Sequence, residues 1–166
     1  MLPYKDKGFT LVELVIIVIL LGIVSLYASS RFFGKSGFDA QLLEQEVLSS
    51  LRLTQLRSMN RIGFCGRWMV SNNQVMQISP AVSAGSCSTT LLTDTSDSSY
   101  VNGQEANVQL SLDADGNVNF IDFDGLGRPQ QCTTAECTVT LEGQSGTQRY
   151  ICINSQGGIY AQASNC

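Results

Sequence analysis

The 166-residue chain carries a formal net charge of −4, six cysteines and no histidine. Lacking histidine, it lacks the commonest general base near neutrality and the commonest imidazole metal ligand, which argues against acyl-transfer catalysis and histidine-held zinc. Charge is also divided along the chain: residues 31–67 hold six Lys or Arg against three Asp or Glu, and residues 68–166 hold two against nine, so the segments carry +3 and −7. Phosphate backbones and anionic membrane surfaces reward clustered cations, and the acidic outer segment offers them little.

The first predicted element is an apolar run from Phe9 to Ser30 whose single charge is Glu13. As a helix it would extend roughly 33 Å at about 1.5 Å per residue, enough to span a bilayer core of about 30 Å. Lys5 and Lys7 in the preceding Met1–Gly8 hold the N-terminus on the cytoplasmic side, so the chain after Ser30 is expected on the far face of an inner membrane. The expected division is a leader at 1–8, a membrane helix at 9–30, an amphipathic helix at 31–60, and an exported disulfide-bonded β domain at 61–166.

Gly8-Phe9-Thr10-Leu11-Val12-Glu13-Leu14 resembles the processing and assembly signature of type IV pilins and of the pseudopilins of type II secretion. The resemblance implies cleavage after Gly8 by a prepilin peptidase, N-methylation of Phe9, and assembly with other pilin or pseudopilin subunits after a period in membrane lipid. An ordinary secretory signal would place its cleavage site beyond the apolar run, where Ala28-Ser29-Ser30 stands, but it has no use for a carboxylate inside that run. A carboxylate in a membrane helix costs about 2.5 to 3.5 kcal/mol, so its default reading is functional. By the resemblance, the partner of Glu13 is the new amine of Phe9, within the subunit or in its neighbour. The alternative is a Glu13 lodged at headgroup depth, where it costs little.

Ser29–Gly37 follows, with two glycines that weaken a helix by about 1 kcal/mol each and predict a kink or local melt. Many pilins carry a proline where Ser30 stands, and this chain departs from that pattern. Good helix formers then dominate from about Phe38 to about Met59, with Phe38, Leu42, Leu53 and Leu56 on one side and Leu43, Val47 and Leu51 on another. Two apolar stripes call for two partners: the chain's own sheet and neighbouring helices in a filament. A helix buried within one domain is the plainer alternative. The resemblance leads us to expect near-continuous helix from Thr10 to about Asn60.

Beyond Gly63 the pattern shifts to short alternating runs between turn residues. Arg67–Val70 and Val75–Ile78 flank Ser71-Asn72-Asn73-Gln74 as a hairpin. Residues 80–107 read as a long loop tied down at Cys87, with a short strand near Thr90–Leu92. Asn107–Leu112, a hairpin turn at Asp113-Ala114-Asp115-Gly116, and Asn117–Phe123 come next. Thr138–Leu141 and Gln148–Ile153 flank a glycine-bearing turn, and Gly158–Ala161 adds an edge strand. The fold class expected is α+β, a long N-terminal helix packed against one antiparallel sheet.

Cys65, Cys87, Cys132, Cys137, Cys152 and Cys166 all lie beyond the apolar run, and an even number in an exported domain reads as disulfides. Six cysteines allow fifteen connectivities; nearness in the chain favours Cys65 with Cys87, Cys132 with Cys137, and Cys152 with Cys166. Zinc is the rival reading of Cys132 and Cys137, opposed by the lack of histidine and of any Cys-x-x-Cys pair. Asp113, Asp115, Asp122 and Asp124 form an acidic cluster for which a solvated turn is a commoner explanation than paired-carboxylate hydrolysis. With Asn117 they could also supply hard oxygen ligands to calcium, and related pseudopilins hold calcium in a loop. The spacing Asp-Ala-Asp-Gly-Asn does not fit the twelve-residue loop with glycine sixth. DNA binding, known for some minor pilins, needs a basic stripe, and beyond Trp68 only Arg128 and Arg149 are present.

Phe123-Asp124-Gly125-Leu126-Gly127-Arg128-Pro129 and Tyr150–Ile159, with Gln156-Gly157-Gly158, resemble the C-terminal pattern of the subgroup containing the type II secretion minor pseudopilin lettered H and its minor-pilin relatives. The same glycines are also ordinary turn chemistry. The resemblance implies a structural minor pilin, without catalysis or cofactor, nearest to a mannose-sensitive haemagglutinin type pilus. A type II secretion pseudopilin and a ligand- or DNA-binding tip protein are the alternatives.

Overall fold

The computed structural model describes residues 10–32, 35–78, 87, 95–144 and 146–166, with the side chains of residues 26–39 left out. The chain forms two units, Met1–Lys35 and Ser36–Cys166. The first holds α1 (Leu11–Phe32), in which 13 of the 22 residues are Leu, Ile or Val. Thr10 begins it, accepting the Glu13 amide on its Oγ1 at 3.3 Å and on its carbonyl at 3.1 Å. Such a cap satisfies an amide that the first turn otherwise leaves without a partner. Gly8, Phe9, the leader, the continuity of helix across residues 33–34 and the strand expected near Thr90–Leu92 lie outside the described residues.

The second unit is α+β. Its described residues hold α2 (Lys35–Asn60) and eight strands: β1 (Arg67–Ser71), β2 (Gln74–Ile78), β3 (Val101–Asn102), β4 (Val108–Asp113), β5 (Phe120–Asp122), β6 (Cys137–Gly143), β7 (Gln148–Ile153) and β8 (Ile159–Gln162). Helix α2 ends where the Asn60 amide caps the Leu56 carbonyl at 2.7 Å, and Gly63, at φ +81°, then turns the chain away.

A single antiparallel sheet was the expectation; the strands form two, ordered β3-β2-β1-β5 and β4-β6-β7-β8. The β1–β2 hairpin closes through Asn72 and Asn73, at φ 51° and 59°, in register Ser71 with Gln74. Two consecutive left-handed residues give the turn whose twist matches the strands, and asparagine is among the few residues that accept it. Strand β8 lies antiparallel at the edge of β7, and β6 and β7 form the expected hairpin.

The hairpin expected around Asp113–Gly116 does not form. Strand β4 pairs with β6, whereas β5 crosses to the other sheet and pairs with β1, Arg67 opposite Asp122 and Trp68 opposite Ile121. The physical reason lies in the partners each segment finds. Asp115 donates its amide to the Gln131 carbonyl at 2.8 Å, Asn119 exchanges bonds with Val70, and Ile121 is fully buried beside Trp68 in the core. Core burial at about 25 cal/mol per Å² outweighs a local turn preference.

One core joins the helix to both sheets. Ala40, Leu43, Val47, Leu48 and Leu51 of α2 pack with Trp68, Val70, Val75, Ile121, Val139, Leu141, Ile151 and Ile153. Burying side chains such as Val47, Leu51 or Ile151 stabilises by roughly 1.5–3 kcal/mol each. The Leu43–Val47–Leu51 stripe is therefore the face turned to the domain, whereas Leu42 and Leu56 remain exposed.

Candidate functional site

Glu13 sits in the first turn of α1, one helical turn from its Thr10 cap, and is exposed. Thr10 and Glu13 have the spacing of a capping pair, and the positive end of the helix dipole favours a carboxylate there. Around it, the Leu, Ile and Val side chains from Leu11 to Val24 are 41–79% exposed on every side of the helix. A helix apolar on all sides is one made to be enclosed, by lipid or by other helices. Among the described residues no helix is long and apolar enough to cross a membrane.

On the second unit, side chains of α2 reach out to hold loops. The Gln55 amide donates to the carbonyls of Gly127 and Gly157, each at 2.7 Å, and Arg52 donates to the Ile159 carbonyl at 3.0 Å. These are the two glycine-bearing segments of the C-terminal pattern, far apart in sequence and clamped by one side chain. Gly127 and Gly157 hold φ +77° and +87°, and a Cβ on Gly157 would lie 2.3 Å from the Gly127 carbonyl oxygen. Glycine is required there by both backbone conformation and space.

Polar groups elsewhere on α2 are paired with the domain. The nearly buried Glu44 carboxylate meets the Arg149 guanidinium at 2.8 Å, and the buried Ser50 hydroxyl accepts from the Trp68 indole at 3.0 Å while donating to the Ser99 carbonyl. Arg57 pairs with Asp97 at 3.0 Å and donates to Gln77 at 2.9 Å. Burial alone would raise the Asp97 carboxyl; hydrogen bonds from Ser99 and the charge of Arg57 outweigh it and hold the group below its ordinary value. Gln55, Glu44, Ser50 and Arg57 all escaped sequence reasoning, because a polar residue on a helix gives no local sign of which distant loop it will meet.

The acidic residues weighed as calcium ligands go separate ways. Asp113 is exposed at the end of β4, and Asn117, at φ 52°, shapes the following turn. Asp122 takes a two-pronged bond from the buried Arg67, 2.7 Å at Nε and 2.7 Å at Nη2, and Arg67 also stacks 3.6 Å over the Phe120 ring. Asp115 accepts from the hydroxyl and amide of Thr134 and from the amide and hydroxyl of Thr133, which hold its carboxyl far below the usual range. Asp124 accepts from the Arg128 amide at 2.8 Å and pairs with its guanidinium, closing the loop that presents Gly127. Among the described residues, no three of His, Cys, Asp or Glu gather as a metal site.

The six cysteines form Cys65–Cys87, Cys132–Cys137 and Cys152–Cys166, the pairing by nearness. The last closes a separation of 14 residues and tethers the C-terminus to β7. Arg128 pairs with Asp124 and Arg149 with Glu44.

In comparisons with known proteins, residues 4–29 match the family model described as the prokaryotic N-terminal methylation motif. No curated protein and no solved structure matches the chain. The match covers the segment holding Gly8, Phe9 and Glu13 and supports a type IV pilin-like or pseudopilin-like protein.

Proposed function

We propose that the chain is a structural minor pilin, processed after Gly8, methylated at Phe9, held first in the inner membrane by its apolar helix and then built into or at the start of a type IV pilus. The observation that carries this reading is α1: apolar on every side, with one carboxylate in the first turn beside the place where cleavage would create an amine. Glu13 and that amine neutralise each other between adjacent helices of the filament core, which fixes the axial register of subunits. The exposed Leu42 and Leu56 of α2 lie against neighbouring helices, while Leu43, Val47 and Leu51 belong to the chain's own core. The protein acts by assembly and carries out no catalysis.

A pilus resembling the mannose-sensitive haemagglutinin type is the assignment within this class, and the three disulfides favour it over a secretion pseudopilus, because a fibre outside the cell meets harsher conditions. Two measurements test the reading. Mass spectrometry of the protein from its native host gives an N-terminus at methylated Phe9; an uncut Met1 overturns it. Glu13→Val inserts in the membrane and loses its leader but stays out of sheared filaments, and normal incorporation of this variant refutes the role of the carboxylate.

A further inference from the structure

A polar cleft of about 220 Å³ lies on the second unit between the loop closed by Cys132 and Cys137 and the turn that follows β7, lined chiefly by Thr133, Thr134, Glu136, Asn154 and Ser155. Both walls are fixed within the protein itself. The disulfide closes the first, and the Asp115 carboxylate accepts the hydroxyls and amides of Thr133 and Thr134. In the second, Asn154 Oδ1 accepts the Gln156 amide at 3.0 Å and the Gly158 amide at 2.8 Å, and Gln55 of α2 holds the Gly157 carbonyl at 2.7 Å. Walls set in advance spare a ligand the cost of ordering its own site.

Two of the lining side chains are tied at one atom and open at the other. Asn154 spends its oxygen on the turn, which leaves the Nδ2 donor open; Glu136 receives the Tyr160 hydroxyl on Oε2 at 2.7 Å, which leaves the Oε1 acceptor open. Among the described residues the Ser155 hydroxyl also makes no bond. A hydroxyl both donates and accepts, so a fixed donor and a fixed acceptor lining one cleft suit a ligand that carries adjacent hydroxyls. Charge narrows the class. Glu136 is the one ionised group among the described lining residues, and residues 68–166 carry −7, so an anionic ligand is repelled. One carboxylate among neutral oxygens falls short of the set that calcium takes, and the polar lining offers no pocket to an apolar side chain. Tyr160, 38% exposed with its hydroxyl on Glu136, sets an aromatic surface beside the rim.

We propose that this cleft binds one ring of a neutral saccharide, with adjacent hydroxyls accepting from Asn154 Nδ2 and donating to Glu136 Oε1. Its volume lies below the roughly 300–1,000 Å³ of pockets for drug-sized ligands, so it holds a single ring and leaves the rest of a glycan in solvent. The site uses no residue of α1 and stands or falls apart from the filament-subunit reading.

The test is saturation-transfer NMR titration of the full chain in phosphocholine micelles. Methyl glucoside, methyl galactoside and methyl N-acetylglucosaminide are the neutral probes, glucuronate the anionic one and ethylamine the cationic one. At least one neutral probe binds, roughly fivefold or more tightly than either charged probe. Asn154→Asp keeps the oxygen that the turn amides need and removes the open donor; Glu136→Gln keeps an oxygen for Tyr160 and turns the open acceptor into a donor. Each raises the dissociation constant about tenfold and leaves Tm within about 2 °C. Glu142→Gln, at an exposed carboxylate outside the cleft, binds as wild type does. Ser155→Ala removes no bond of the fold and weakens binding about threefold, so it decides the matter if either of the other changes disturbs the turn. Failure of every neutral probe to bind overturns the proposal, as does binding that Asn154→Asp, Glu136→Gln and Ser155→Ala all leave intact. Glucuronate or ethylamine binding as tightly as the neutral probes overturns the ligand class.

Discussion

Gly157→Ala tests whether the Gln55 clamp joins helix and loops as described. The alanine Cβ would stand 2.3 Å from the Gly127 carbonyl oxygen and 2.8 Å from Gln55 Nε2, on a backbone at φ +87°. The left-handed conformation costs an L-residue about 1–2 kcal/mol. Pushing the loops apart also removes two hydrogen bonds, each 2.7 Å in the native structure and each worth about 1 kcal/mol net. The expected destabilisation is about 3–4 kcal/mol, or about 10–15 °C in Tm for a domain of this size. Gly146→Ala is the control, because Gly146 has φ +73° and open space around it, and so should lose only the conformational part, about 1–2 kcal/mol. Gln55→Ala loses the two bonds without the clash, about 2 kcal/mol, and the Gly157→Ala/Gln55→Ala double variant falls short of the sum by a similar amount because the amide is removed only once. Thermal unfolding of residues 36–166 by circular dichroism, disulfides intact, reads all four. If Gly157→Ala proves no more harmful than Gly146→Ala, the close approach of the two loops is wrong.

Arg149→Met leaves the Glu44 carboxylate nearly buried without its cation; because the Arg149 side chain keeps 26% exposure, the cost is about 2–3 kcal/mol, below that of a fully dry pair. The urea midpoint drops accordingly, and Glu44→Leu added to Arg149→Met recovers most of it; an unchanged midpoint in the single variant rejects the pair. For Asp115, hydrogen bonds from Thr134 and then Thr133 depress the folded carboxyl below its ordinary 3.8. A depressed folded value contributes stability above the unfolded value, near pH 4, and loses it as pH falls toward the lower folded value. Carbon-detected NMR of the Asp115 carboxyl therefore shows a midpoint below 3.8 that Thr134→Val moves upward, and a native midpoint at 3.8 contradicts the bonding.

Much of the chain was readable from local chemistry alone. The helix from Leu11 to Phe32, with Glu13 in its first turn, was legible in its apolar composition alone. Period-two alternation around Asn72-Asn73 was equally legible, because left-handed backbone is a property of the residues themselves. The Leu43–Val47–Leu51 stripe announced a buried face by its spacing, and the cysteines paired by the short loops between them.

Tertiary structure decided the rest. Asp113–Gly116 has the composition of a hairpin turn, yet β5 left β4 for β1 because Ile121 and Phe123 find their burial beside Trp68. Gln55, Glu44 and Arg57 look alike in sequence; which glycine loop, arginine or aspartate each one meets depends on segments 40 to more than 100 residues away. Periodicity and backbone preference act over a few residues and can be read along the chain. Strand partners and the pairing of buried polar groups follow from how a single core closes around all its elements at once, and no local segment contains that information.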